Sequence, residues 1–256
     1  MTNRWTQRIG GGSPRFGMWL ASGSSYVTEI CAGSGIDWVL LDQEHAPNDL
    51  RSTLDQLHVL AGYPDVDVLV RPPAADPVLI KQLLDIGAQN IIVPMIDDAT
   101  MATTAVAATR YPPEGIRGVG SALARASRWN RISDYLVTAD ATVSLTVQVE
   151  TMAALAQLGE IADVDGVDAV FIGPADLAAS MGKLGQPEHP DVVSAIETAL
   201  GKISEHGKAA GVNAFNQQIA HRYVDAGASF VLVGADVALL ARGAEDLATK
   251  YRRSEE

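Results

Sequence analysis

Cysteine is almost absent from this chain: Cys31 is the only one in 256 residues. No disulfide can form within the chain, which fits a reducing cytoplasm. Long hydrophobic runs are missing as well. No apolar stretch reaches the roughly 18 residues that a membrane helix needs. The segment from Met1 to Arg8 has no apolar core after its basic residues, so export is not expected. Positive charge is scarce, with 19 Lys and Arg against 31 Asp and Glu and a formal net charge of -12. That balance argues against nucleic acid and against an anionic membrane surface as partners. The lysines are Lys81, Lys183, Lys202, Lys208 and Lys250. All fall in expected helices or loops, and only Lys208 borders a strand, at its N-terminal end. Imine chemistry, which needs an amine at the site, has no candidate.

What is present is a regular alternation. Gly33-Ser-Gly35-Ile-Asp-Trp-Val-Leu-Leu resembles Asp85-Ile-Gly87-Ala-Gln-Asn-Ile-Ile-Val and Asp225-Ala-Gly227-Ala-Ser-Phe-Val-Leu-Val, with Asp165-Gly166-Val-Asp-Ala-Val-Phe-Ile as a looser copy. Each reads as a glycine ending a helix, a short turn and a fully apolar strand. Such strands alternating with helices indicate a parallel sheet covered on both faces. Eight are expected, near residues 16–20, 38–42, 67–71, 90–94, 143–149, 168–172, 209–214 and 230–234. Between the third and fourth, Asp76 can cap a helix, Pro77 fits its first turn and Gly87 ends it. Eight β/α units in a chain of this length, 47% hydrophobic, favour one closed (β/α)8 TIM barrel spanning residues 1–256. An open doubly wound sheet is the alternative. The connection 95–142 is the longest, with a helix near 98–109 and a basic stretch holding Arg117, Arg125, Arg128 and Arg131. These arginines suit an acidic substrate tail, a subunit contact or a solvated surface. The tail 250–256 reads as a fraying helix end.

Polar residues stand at the C-terminal ends of the strands. Glu150 ends one apolar run and Asp176 follows another through Gly173-Pro174-Ala175. Carboxylates are disfavoured there unless compensated. A divalent cation would compensate them, and hard oxygen ligands suit Mg²⁺ or Mn²⁺ better than zinc; helix capping is the competing explanation. The Gly173–Ala175 turn offers free backbone N–H groups to a carboxylate. His45 with Asp42 is the acid/base candidate, since a carboxylate can orient an imidazole. Arg71 closes the third strand and can stabilise an oxyanion. Gln148 points the same way as Glu150, and Trp19 can wall the pocket. The other histidines, His58, His189, His206 and His221, read as helix or loop residues.

Taken together, Asp42-Gln-Glu-His45-Ala-Pro-Asn48, Tyr111-Pro-Pro-Glu-Gly-Ile-Arg-Gly-Val-Gly120, Ala124-Arg-Ala-Ser-Arg-Trp-Asn130, Gln148-Val-Glu150-Thr151 and Phe171-Ile-Gly-Pro-Ala-Asp-Leu177 resemble the HpcH/HpaI family of metal-dependent pyruvate aldolases, over nearly the whole chain and in order. The last two segments are specific. The resemblance implies a barrel with Glu150 and Asp176 holding a divalent cation (Mg²⁺, Mn²⁺ or Co²⁺). It implies a 2-oxo acid bound by that cation and by the amides near Ala175, with Gln148 close by. Arg71 would stabilise the enolate, and His45 paired with Asp42 would transfer the proton. It further implies cleavage of a 4-hydroxy-2-oxo acid to pyruvate and an aldehyde from aromatic-compound catabolism. The expected assembly is a homohexamer in which the helix near 236–252 packs on a neighbouring subunit. Two departures bear on the aldehyde side: Gln43, where glycine is common, and Gly211-Val-Asn-Ala-Phe-Asn216, which replaces the usual apolar segment. The rivals are a CoA-thioester lyase of the citrate lyase β-subunit type and a non-catalytic barrel that binds metal or 2-oxo acids.

Overall fold

The computed structural model describes residues 3–252. Eight parallel strands close into a barrel in sequence order: β1 (Arg15–Leu20), β2 (Trp38–Asp42), β3 (Asp67–Arg71), β4 (Asn90–Val93), β5 (Ser144–Val149), β6 (Ala169–Ile172), β7 (Ala209–Asn213) and β8 (Ala228–Ala235). All eight expected strands are present, with bounds shifted by at most two residues. The helix after β3 is Pro77–Asp85, capped by the Asp76 carboxylate and followed by Gly87 at a φ of 100°. Of the expected fraying tail, helix Asp236–Tyr251 is seen to its end, and residues 253–256 lie outside the described part.

Strand alternation divides the core in two. Outward side chains such as Val39, Leu41, Val70 and Val147 pack under the helices. Inward ones, Trp38, Leu40, Leu69, Ile92, Phe171, Phe230 and Leu232, fill the barrel itself. Because successive residues alternate faces, the inward set continues along each strand to the C-terminal mouth. Trp38 and Leu40 lead to Asp42, Leu69 leads to Arg71, and Phe171 leads to Gly173. The packing register therefore dictates which polar side chains meet there.

The N-terminal end of the barrel is shut by a feature the sequence reading did not anticipate. Helix Arg4–Ile9 lies across it and buries Trp5. The Trp5 ring sits 5.5 Å from Trp38 and 5.3 Å from Phe230. Arg4 and Arg8 tie the helix to the Asp67 carboxylate at 2.7 and 2.9 Å. The Asn3 side chain donates to Asn90 Oδ1 at 2.9 Å and to the Thr142 carbonyl at 2.7 Å.

Room for these rings comes from two glycines. A Cβ on Gly17 would lie 2.2 Å from Trp38 Cε2, and one on Gly211 would lie 2.2 Å from the Phe230 ring. The glycine that breaks the apolar pattern of β7 is thus a packing requirement. Gly17→Ala is expected to destabilise the protein by about 1–3 kcal/mol through overpacking. Gly201→Ala, in helix Pro190–Glu205 with open space around it, is expected to be neutral or to stabilise by up to about 1 kcal/mol. Urea unfolding checks both, and equal midpoints for the two variants would show that the rings re-seat freely.

Candidate active site

At the C-terminal mouth a cavity of about 250 Å³ is lined by Trp19, Asp42, His45, Arg71, Gln148, Glu150, Gly173, Pro174, Ala175 and Asp176. All ten side chains or turn residues singled out in the sequence border this one space. Ala21, Phe171, Asn213 and Ala235 complete its wall. No lysine lines it. Lys208 instead donates to the Val167 carbonyl at 2.8 Å, at the start of β7.

Arg71 is the centre of the arrangement and is 4% exposed. Its Nε donates to Asp42 Oδ1 at 2.8 Å and its Nη2 to Asp42 Oδ2 at 2.9 Å, a two-pronged pair between residues directly opposite in the β2–β3 register. Nη1 reaches Gln148 Oε1 at 3.4 Å and lies 2.8 Å from Glu44 Oε2. The guanidinium stacks on the Trp19 ring at 4.3 Å from its centroid. Bidentate and stacked contacts together fix the plane of the group.

The loop after β2 is built around Asp42. Its carboxylate also accepts from the backbone N–H of Glu44 at 3.0 Å and of His45 at 3.3 Å. Asn48 donates to the Asp42 carbonyl at 2.7 Å and to the Leu20 carbonyl at 3.2 Å. The expected pairing of Asp42 with the His45 imidazole is therefore not formed. Asp42 is committed to Arg71 and to the loop amides, and the carboxylate nearest the imidazole is Glu44, with Oε1 4.0 Å from His45 Nε2. His45 itself is open to solvent at the rim. Gln43 turns away from the cavity and donates to Thr53 at 2.8 Å. Its side chain does not shape the pocket.

Glu150 is buried at the end of β5. One carboxylate oxygen accepts from the Met95 N–H at 2.8 Å and the other from Gln148 Nε2 at 2.6 Å. Met95 holds a left-handed φ of 54°, an unfavourable backbone for a side-chain-bearing residue, and this turns its amide onto Glu150. Burial raises the Glu150 pKa above the ordinary carboxylate value, the two hydrogen bonds oppose the rise, and the neighbouring Glu44 and Asp176 charges add to it. Burial likewise raises Glu44. Gly173 leaves the necessary space: a Cβ there would lie 2.5 Å from Glu150 Oε2. It also opens helix Pro174–Ser180 without a side-chain cap, and the first-turn amides of Ala175 and Asp176 lack intrahelical partners.

The mouth thus sets four carboxylates, Asp42, Glu44, Glu150 and Asp176, against one guanidinium. Among the described residues no group of three or more His, Cys, Asp or Glu is placed to hold a metal ion. Two hard carboxylates, one of them buried and short of positive charge, fit a divalent cation whose other positions are left to substrate and water.

The basic stretch of the long connection is not part of the mouth. Arg117 is buried, bonded to Asp85 at 3.2 Å and to the Tyr135 hydroxyl at 3.1 Å, and stacked on Tyr111. Arg125 donates to the Ile86 carbonyl at 2.9 Å. His206 pairs with Asp163 at 2.6 Å, and His189 caps the helix that follows it.

Fold and cavity together define a (β/α)8-barrel enzyme with an acidic mouth suited to a divalent cation. The sequence model of the HpcH/HpaI aldolase/citrate lyase family matches residues 15–243, and the chain belongs to that family. It is 54% identical over 251 residues, 98% of this chain and 95% of the relative, to the 4-hydroxy-2-oxo-heptane-1,7-dioate aldolase of Salmonella dublin. Among solved structures, an HpcH/HpaI aldolase/citrate lyase family protein from Burkholderia cenocepacia superposes with a TM-score of 0.93 at 40% identity, covering 98% of this chain and 100% of that one. An HpcH/HpaI aldolase from Desulfitobacterium hafniense gives 0.87 at 27% identity over the full length of both.

Removing one partner of the central ion pair strands the other in a dry environment. Asp42→Ala is expected to cost about 3 kcal/mol of stability, because Arg71 stays buried without its bidentate acceptor. Chemical denaturation measures this, and an unchanged midpoint would mean that Glu44 replaces Asp42 at no cost.

Proposed function

We propose that the protein is a metal-dependent aldolase that reversibly cleaves a 4-hydroxy-2-oxo acid into pyruvate and an aldehyde. The observation that carries this is the buried Arg71 facing the Glu150 and Asp176 carboxylates across one cavity that contains no lysine. The 54% identical relative names the substrate class, 4-hydroxy-2-oxoheptanedioate. Breaking its C3–C4 bond yields pyruvate and a four-carbon semialdehyde.

Glu150 and Asp176 would hold the divalent cation, Mg²⁺ or Mn²⁺, with Co²⁺ a third candidate. When bound, it supplies positive charge next to the keto oxygen. The protein's own residues do the rest. The first-turn amides at Ala175 and Asp176 receive the substrate carboxylate, with Gln148 beside it. His45, open at the rim, accepts the proton of the C4 hydroxyl directly or through water. The C4 oxygen then forms the aldehyde carbonyl while the C3–C4 electron pair becomes the C2–C3 double bond and the C2 carbonyl pair moves to its oxygen, where Arg71 donates a hydrogen bond to the enolate. Return of the proton to C3 releases pyruvate.

Proton exchange on pyruvate in D₂O, followed by NMR, tests this directly. Exchange of the methyl protons is expected with Mg²⁺ or Mn²⁺. It is expected to stop with EDTA and to fall at least about 100-fold in Glu150→Gln and Asp176→Asn. A folded protein that exchanges nothing with either metal would remove the aldolase reading and leave the CoA-lyase or binding-protein alternatives.

We further propose a homohexamer in the cytoplasm, with helix Asp236–Tyr251 seated on a neighbouring subunit. In the single chain Val237, Leu239, Leu240, Leu247 and Tyr251 of this helix are exposed, an apolar face of the kind that subunit contacts cover. No helix among the described residues is long and apolar enough to cross a membrane. Sedimentation is expected to give a hexamer for the native chain and smaller species for Leu239→Asp/Leu240→Asp. A monomeric native chain would dismiss the assembly.

A further inference from the structure

Glu44 has no part in the chemistry described above and stands just behind the cavity wall, against the Arg71 guanidinium that lines it. Its carboxylate lies against Arg71 and 4.0 Å from the His45 imidazole, with the Asp42 and Asp176 charges near enough to act on it. Its side chain is 15% exposed, and Oε2 lies 2.8 Å from Arg71 Nη1. That oxygen is buried and receives no directed hydrogen bond. The contact is one of charge against charge, without an aligned N–H.

The two carboxylates on Arg71 therefore differ in kind. Asp42 takes Nε and Nη2 with two aligned bonds at 2.8 and 2.9 Å. Glu44 sits at Nη1 without alignment. Nη1 is also the amine on the Gln148 side, and Gln148 touches Glu150. It is thus the corner of the guanidinium that an enolate oxygen near Glu150 has to use. The aligned partner holds the arginine in place, and the misaligned one occupies the remaining amine, Nη1.

We propose that Glu44 is a built-in competitor for Arg71: its carboxylate neutralises Nη1 in the empty site, gives way to the keto or enolate oxygen, and returns to help expel pyruvate. Glu44 then sets how tightly the 2-oxo acid is held. This inference rests on the aldolase reading. Burial raises the Glu44 pKa above the ordinary carboxylate value, with the attraction of Arg71 opposing the rise.

The test uses oxalate, a planar dianion with the charge pattern of a pyruvate enolate, titrated calorimetrically into the Mg²⁺-loaded protein. Glu44→Gln, which keeps the shape and removes the charge, is expected to bind oxalate about tenfold more tightly than the native chain. It is also expected to lower KM and kcat together, since product then leaves more slowly. Glu44→Asp, which keeps the charge, is expected to bind close to the native value. A carboxylate that merely supports the loop behaves the opposite way, because its loss weakens binding and raises KM. Equal or weaker oxalate binding by Glu44→Gln overturns the proposal while the aldolase reading stands. A native chain that neither binds oxalate nor exchanges pyruvate protons overturns both.

Discussion

The buried pair between Asp42 and Arg71 is the contact on which the site depends. It joins opposite residues of two neighbouring strands at the point where the barrel stops being packed and becomes open. A guanidinium with free rotation would find the nearest carboxylate, and the cavity offers Glu44 and Glu150 as well. Two aligned hydrogen bonds to Asp42 and the Trp19 face beneath leave it one orientation. Asp42 in turn organises the following loop through the amides of Glu44 and His45. The same carboxylate thus sets the strand ends, the arginine and the position from which the imidazole leaves the backbone. A pair of this kind is a weak source of net stability, because desolvation offsets much of the attraction. What it supplies is a single arrangement.

Charge explains the remainder of the mouth. Carboxylates outnumber cations there, and Glu150 is both buried and bonded to Gln148 and Met95, so it cannot turn outward to water. The left-handed backbone at Met95 and the missing side chain at Gly173 both carry a conformational cost or constraint, and both serve that one carboxylate. Local structure is adapted to a site with excess negative charge, a condition that an incoming cation relieves.

Much of this was legible in the sequence, for a specific reason. Continuous apolar strands ending in a polar residue give both the parallel barrel and the rim, because inward parity runs unbroken from Trp38 to Asp42 and from Leu69 to Arg71. Pairwise partners were less legible. Spacing suggested that Asp42 serves His45, three residues on, but β2–β3 register, invisible in one sequence, delivers it to Arg71. Glu44 stood inside a recognised motif without a role, since nothing local reveals that its side chain folds back over a strand 27 residues further on. The arginines of the long connection looked like one basic patch. Arg117, held by Asp85 and stacked on two tyrosines, belongs to the interior. Helix Arg4–Ile9 is short and carries no strong periodic signal, and only the aromatic floor of the barrel explains its place.

That floor has a consequence for traffic. With Trp5 wedged against Trp38 and Phe230 below a filled interior, the barrel has no passage through it and the cavity opens at the C-terminal mouth. Whatever enters and whatever leaves pass the same rim, and fragments cannot overtake one another. The piece held by the buried Arg71 is then first in and last out. An ordered sequence of arrivals and departures then follows from plumbing alone, with no moving lid required.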